Sequence, residues 1–183
     1  MPVQDVYRSA ARHMHWLTAA LIAGLVPVGL YMTYRGNTLD IWDGLTNGLY
    51  SGHKLTGFIL LWIVLARLLY RLTQGAPPDE PTLTPLQKRV SHLVHWAMYG
   101  LLVAVPLAGW IGVSLYPSLG IFGLFNLPGL VSPNQDMAGT ALLAHKFMVY
   151  ALVGLICAHI GAALFHHFIR KDGVLRRMLP KRD

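Results

Sequence analysis

One stretch, Ala144–Phe168 (AHKFMVYALVGLICAHIGAALFHHF), limits what this chain can fold into more than any other. It is apolar and long enough to cross a bilayer, which takes about 20 residues of helix. It nevertheless holds His145 and His159, fourteen positions apart. At ~3.6 residues per turn and ~1.5 Å rise, their side chains leave from nearly the same face, ~21 Å apart along the axis. Ionisable groups inside a span are costly and mark functional sites. A neutral imidazole is a good ligand for haem iron. Two stacked histidines on one spanning helix therefore predict two stacked haems.

Three more long apolar stretches precede it, so the predicted spans cover about residues 16–34, 53–72, 93–116 and 141–168. The chain is 54% hydrophobic and 13% charged, with mean hydropathy +0.46. That balance belongs to a membrane protein. Little sequence remains for a soluble domain. The predicted fold is all-α: one integral membrane four-helix bundle occupying residues 1–183.

A net charge of +7 raises the question of nucleic acid, but the distribution of charge argues against it. Arg8 and Arg12 precede the first span. Arg67, Arg71, Lys88 and Arg89 flank the second loop. Arg170, Lys171, Arg176, Arg177, Lys181 and Arg182 follow the last span. Of the other basic residues, Arg35, Lys54 and Lys146 fall on the opposite side. This asymmetry predicts cytoplasmic N and C termini and no nucleic-acid partner. Cys157 is the sole cysteine, which excludes an intramolecular disulfide. The haem-attachment sequence C-x-x-C-H is missing, so haem is expected to be held non-covalently. The first span is read as retained, because cleavage after it would discard His15.

Alternating spans place His15 and His159 at the cytoplasmic level, and His53 and His145 at the extracytoplasmic level. Each level takes one histidine from span 4 and one from another helix. The expected ligand pairs are His15/His159 and His53/His145, with His95 an alternative to His15 at the same depth. Gly29 lies fourteen positions after His15, where a missing side chain admits a flat macrocycle; ordinary helix packing also uses glycine this way. Arg67 lies fourteen positions after His53 and is a candidate partner for a haem propionate, or a snorkelling arginine. With both axial positions filled, such iron passes electrons and does not readily bind oxygen.

Something must exchange electrons at each end. His92, His95 and Tyr99 share one helical face, and with His166 and His167 they offer donors and acceptors for a quinone head group. At the outer end Lys54 and Lys146 directly follow proposed ligands. They are candidate catalytic residues that bind propionates or draw in a small anion; plain interfacial lysines have the same pattern. Cys157 reads as a packing residue. The proline-rich second loop (residues 73–89) reads as a connector. Pro106 is expected to kink span 3. The apolar piece IFGLFNLPGL in loop 3 is too short to span and is expected to lie on the membrane surface.

The segments YRSAARHMHWL, HKLTGFILLWIVLARLLYR, SHLVHWAMYGLLVAVPLAGWIG and AHKFMVYALVGLICAHIGAALFHHFIRKDGVLRRMLP resemble the bacterial di-haem cytochrome b561 family. The resemblance covers the spans and the tail but not the loops. It implies haem b ligation by His15, His53, His145 and His159, and a multi-pass protein of the bacterial inner membrane. The four-span form looks like the superoxide oxidase branch, which oxidises periplasmic superoxide and reduces ubiquinone. The alternative implied by resemblance is a cytochrome b anchor subunit, as in nickel–iron hydrogenases and formate dehydrogenases. Such a subunit passes electrons between a periplasmic enzyme and the quinone pool. A haem-free transporter using membrane histidines is a third reading of the residues alone.

Overall fold

A computed structural model describes residues 6–179; Lys181 and Arg182 of the basic tail lie outside the described residues. Four long helices dominate: α1 (Ser9–Thr33), α2 (Gly44–Gln74), α3 (Pro85–Leu115) and α4 (Gln135–Phe165). α1 and α4 each end in a short π-helical turn, Tyr34–Thr38 and His166–Arg170. All four are long and apolar enough to cross a membrane, with mean hydropathies from 1.6 to 2.1 over their best windows. The chain is an all-α four-helix membrane bundle.

Each helix begins earlier than its apolar stretch, and for α2, α3 and α4 side-chain caps explain why. Asp43 accepts a hydrogen bond from Thr46 N–H at 2.9 Å, so α2 starts inside a segment, GLTNGLYSG, that reads as loop by composition. Thr84 and Gln87 form a reciprocal capping box ahead of α3, with Pro85 at the first helical position, where its lack of an N–H costs nothing. Asn134 caps α4 through Met137 N–H. α3 runs through Pro106 as continuous helix.

Loop 3 is more ordered than its proline content implies. Gly120–Ile121 (β1) pairs antiparallel with Phe125–Asn126 (β2). Phe122 (φ 52°) and Gly123 (φ 71°) make the turn in the left-handed region. Ile121 is fully buried and β1 packs against α2.

The core is small: Leu60, Val64, Leu102 and Leu152 are buried, with Leu25, Met98 and Ile156 against them. Large apolar side chains such as Trp62, Leu69 and Phe147 are more than half exposed. Lipid covers such surfaces as readily as protein does. Close packing joins α1 to α2, α2 to α3 and α3 to α4. Among the long helices α4 packs closely on α3 alone, although its histidines face α1 and α2.

Candidate functional site

The spacing along α4 brings two histidine pairs together at two depths. The His53 and His145 rings have centroids 6.3 Å apart and planes at 83°. The His15 and His159 rings are also 6.3 Å apart, at 70°. Two metal–imidazole bonds of ~2.0 Å, plus about 1.1 Å from each nitrogen to its ring centre, put trans ligands about 6 Å apart between centroids. Both pairs have that separation. Among the described residues there is no group of three or more His, Cys, Asp or Glu able to hold a bare metal ion. Paired imidazoles on helices that stand apart fit a planar macrocycle whose own nitrogens complete the coordination.

Backbone details at the His53/His145 pair, the one expected on the outer side, support the fit. His145 Nδ1 lies 2.8 Å from Val105 O. A carbonyl can only accept, so Nδ1 carries the proton and Nε2 keeps its lone pair for a metal. His53 Nδ1 is buried without a hydrogen-bond partner. Glycines face both rings. A Cβ at Gly29 would lie 2.9 Å from His53 Cε1, and one at Gly109 would lie 3.0 Å from His145 Nδ1. Gly29 therefore serves the histidine ring itself. Gly109 was not singled out by the sequence reading, yet it stands fourteen positions after His95, the same interval that exposed Gly29.

The inner level is more crowded. His95 approaches His159 to 5.1 Å between ring centroids, closer than His15. His95 Nδ1 donates to Ser91 O at 2.6 Å, which leaves its Nε2 free to ligate. Arg67 donates to His15 Nδ1 at 3.0 Å, because a guanidinium cannot accept. In that contact a neutral His15 carries its proton on Nε2. Ligation through His15 Nε2 therefore requires Arg67 to release Nδ1. Arg67 also lies over the Tyr99 ring, 5.2 Å from its centroid. Arg67, Arg71, Tyr70, Tyr99 and Met178 contribute to a cleft that opens at this end.

The remaining candidates have partners that the sequence did not reveal. Loop 2 is more than a connector. Its Asp79 bonds His92 at 2.9 Å, and that hydrogen bond, opposed by desolvation, holds the Asp79 carboxyl below its ordinary pKa. Asp172 meets His166 Nδ1 at 2.5 Å, both side chains being largely buried. Burial pushes the Asp172 carboxyl up, but hydrogen bonds from His166, Val174 N–H and Thr82 outweigh it and leave the pKa lowered. His167 Nδ1 is buried without a partner. At the outer end the Lys54 ammonium donates to Ser118 O at 2.8 Å and Gly120 O at 2.6 Å, while Lys146 lies near the Tyr150 ring, 5.9 Å from its centroid.

Residues 6–181 match the family described as prokaryotic cytochrome b561. The chain is 32% identical over 168 residues to cytochrome b561 homolog 2 of Escherichia coli K12, covering 91% of this chain and 87% of that one. It is 30% identical over 176 residues to cytochrome b561 homolog 1 of the same organism, covering 93% and 94%. It is 34% identical over 137 residues to a probable superoxide oxidase, CybB, of Yersinia pestis, covering 71% and 74%.

Proposed function

Because the chain belongs to the prokaryotic cytochrome b561 family, a family of haem-binding membrane electron-transfer proteins, we propose that it is a di-haem electron carrier of the bacterial inner membrane. In this reading both termini lie in the cytoplasm, which the charge asymmetry supports. In this reading it takes electrons from periplasmic superoxide and delivers them to ubiquinone. Two superoxide anions give two electrons and two oxygen molecules; ubiquinone takes those electrons and two protons to become ubiquinol. The observation that carries the reading is the pair of imidazole couples, each 6.3 Å between ring centroids, separated by fourteen residues along α4.

His53 and His145 would hold the outer haem b, His15 and His159 the inner one, with His95 the competing inner ligand. When bound, bis-histidine haem supplies one-electron transfer without an open position for oxygen. Gly29 and Gly109 keep the space in which the outer imidazoles stand. Val105 O holds the His145 ring in the tautomer that ligates. Arg67 is positioned to exchange its bond to His15 for a propionate.

Lys54 and Lys146 add positive charge at the outer end, which raises the encounter rate of a small anion. A lysine hydrogen-bonded to carbonyls keeps its charge and still contributes to that field. At the inner end Arg67, Arg71, Tyr70 and Tyr99 border a small cleft, and their donors are available to a quinone carbonyl at its mouth rather than within it. In this reading the His166–Asp172 pair, at the end of the fourth candidate span, lies toward the side from which protons for the quinol enter. The superoxide assignment is supported by the name of the Yersinia relative and by these outer cations.

Stopped-flow mixing of the oxidised protein with superoxide tests it. The haem absorbance should reduce at a near-diffusion rate that falls with ionic strength, and Lys146→Gln should slow it and flatten the salt dependence. Slow, salt-independent reduction, or stoichiometric co-purification of a periplasmic enzyme, would shift the assignment to an electron-transfer anchor.

A further inference from the structure

Loop 3 is fastened to α2 at the residues on either side of His53 and to α3 next to Gly109, the glycine that faces His145. On α2, Ser51 Oγ accepts from Phe122 N–H at 3.1 Å, and Lys54 donates to Ser118 O and Gly120 O. These two residues flank His53. On α3, Trp110 Nε1 donates to Pro128 O at 2.7 Å, and the buried Ser114 accepts from Leu130 N–H at 3.1 Å. Trp110 is the neighbour of Gly109, whose face meets the His145 ring. Two of the loop's own side chains, Ile121 and Leu127, are buried. Asn134 N–H closes its far end on Leu115 O.

Lys54 stands out within this set. A lysine whose only task was to attract anions would keep its ammonium toward water, where all three N–H groups stay solvated. This one spends two on backbone carbonyls of loop 3. Bonds from a charged donor are stronger than neutral ones. They also satisfy two carbonyls at the edge of a two-residue strand.

We propose that Lys54 is a positioning residue: it pins residues 117–133 as a fixed cap beside the outer histidine pair, so that this end admits small ionic electron donors and excludes protein-sized ones. The proposal rests on the reading of His53 and His145 as ligands of an outer haem. It extends that reading by naming what selects the donor.

The test uses the haem-loaded protein in nanodiscs. Backbone amide exchange of the 118–130 peptide is measured, together with haem reduction by dithionite, a small anion, and by reduced flavodoxin, an acidic protein. In Lys54→Met, exchange should rise roughly tenfold or more, the scale expected when charge-assisted bonds are lost. Where a protein donor must wait for the cap to open, reduction by flavodoxin should rise by a similar factor. Lys54→Arg, which retains charge and donors, should restore both. Ser51→Ala removes a neighbouring fastening without changing charge and should act in the same direction. Lys146→Met removes the equivalent charge with no loop bond, and should slow dithionite while leaving exchange unchanged. If Lys54→Met behaves as Lys146→Met does, Lys54 acts by charge alone and the proposal is overturned. A looser cap with no gain for flavodoxin overturns the size filter. Haem content is quantified on the same samples, so a parent protein lacking the outer haem counts against the haem reading, whereas unchanged exchange in Lys54→Met at full haem content counts against the cap.

Discussion

Replacing Gly29 by alanine tests the outer site with a single methyl group. The new Cβ would lie 2.9 Å from His53 Cε1 and 3.4 Å from Nδ1. The first contact is about 0.5 Å short of the 3.4 Å at which ordinary van der Waals contact begins. α1 and α2 pack closely, so the imidazole must move, and its freest direction is away from α1. Metal–ligand bonds hold their lengths to within about 0.2 Å. A displacement twice that size weakens or tilts the bond. Perturbing the support of a ligating histidine typically costs ~10–100-fold in metal affinity. The Gly29→Ala protein should therefore lose haem from the outer site alone, its content falling from two towards one per chain on dilution or dialysis. The inner signal in a redox titration should keep its potential. Gly24→Ala on the same helix is the control, since nothing lies within 4 Å of its Cβ position, and it should retain both haems. Retention of both haems with unchanged potentials in Gly29→Ala would refute the placement of His53 as a ligand.

Gly109→Ala should produce the same selective loss through His145, whose Nδ1 and Cε1 lie 3.0 and 3.1 Å from the added carbon. Arg67→Gln removes a positive charge beside the inner pair. At an effective dielectric constant of ~20 and a distance of ~8–10 Å that is roughly 2 kcal/mol. It should lower the inner midpoint by several tens of millivolts at 59 mV per decade and leave the outer one in place. Asp172 holds the tail segment against loop 2. Its carboxyl pKa is depressed below the ordinary 3.8, so its contribution is complete above that value and is lost as pH falls through the lower folded-state pKa. Amide exchange of residues 170–177, corrected for intrinsic rate, should accelerate in that acid window, and Asp172→Asn should show the faster rate already at neutral pH.

The spans were legible because a bilayer imposes length and apolarity locally, and each helix carries both in its own residues. The two histidine levels were legible for a related reason. The fourteen-residue interval is a property of helical geometry, and in the structure the His159 and His145 rings lie 6.3 Å from those of His15 and His53. Helix starts were harder. Asp43, Thr84 and Asn134 set them by side-chain bonds that outweigh the glycine- and polar-rich composition of the first turns. Long-range polar pairs were not legible. Asp79 with His92, and Asp172 with His166 and Thr82, join segments that carry no local mark of one another, so loop 2 read as a passive connector. The fastening of Lys54 to Ser118 and Gly120 escaped for the same reason: a lysine beside a histidine looks alike whether its ammonium faces water or a carbonyl. The contest between His15 and His95 at the inner level was visible in sequence, and the structure sharpens it. His15 has the separation of a trans pair, whereas His95 already has the ligating tautomer.

The central claim is that four histidines hold two haems, one above the other. Pyridine haemochrome quantitation of the purified protein, against protein concentration from amino-acid analysis, tests it most directly. The account predicts two haem b per chain, falling to one on His145→Ala and to one on His159→Ala, with a different redox component surviving in each. A single haem in the parent protein, or both haems surviving either substitution, would contradict it.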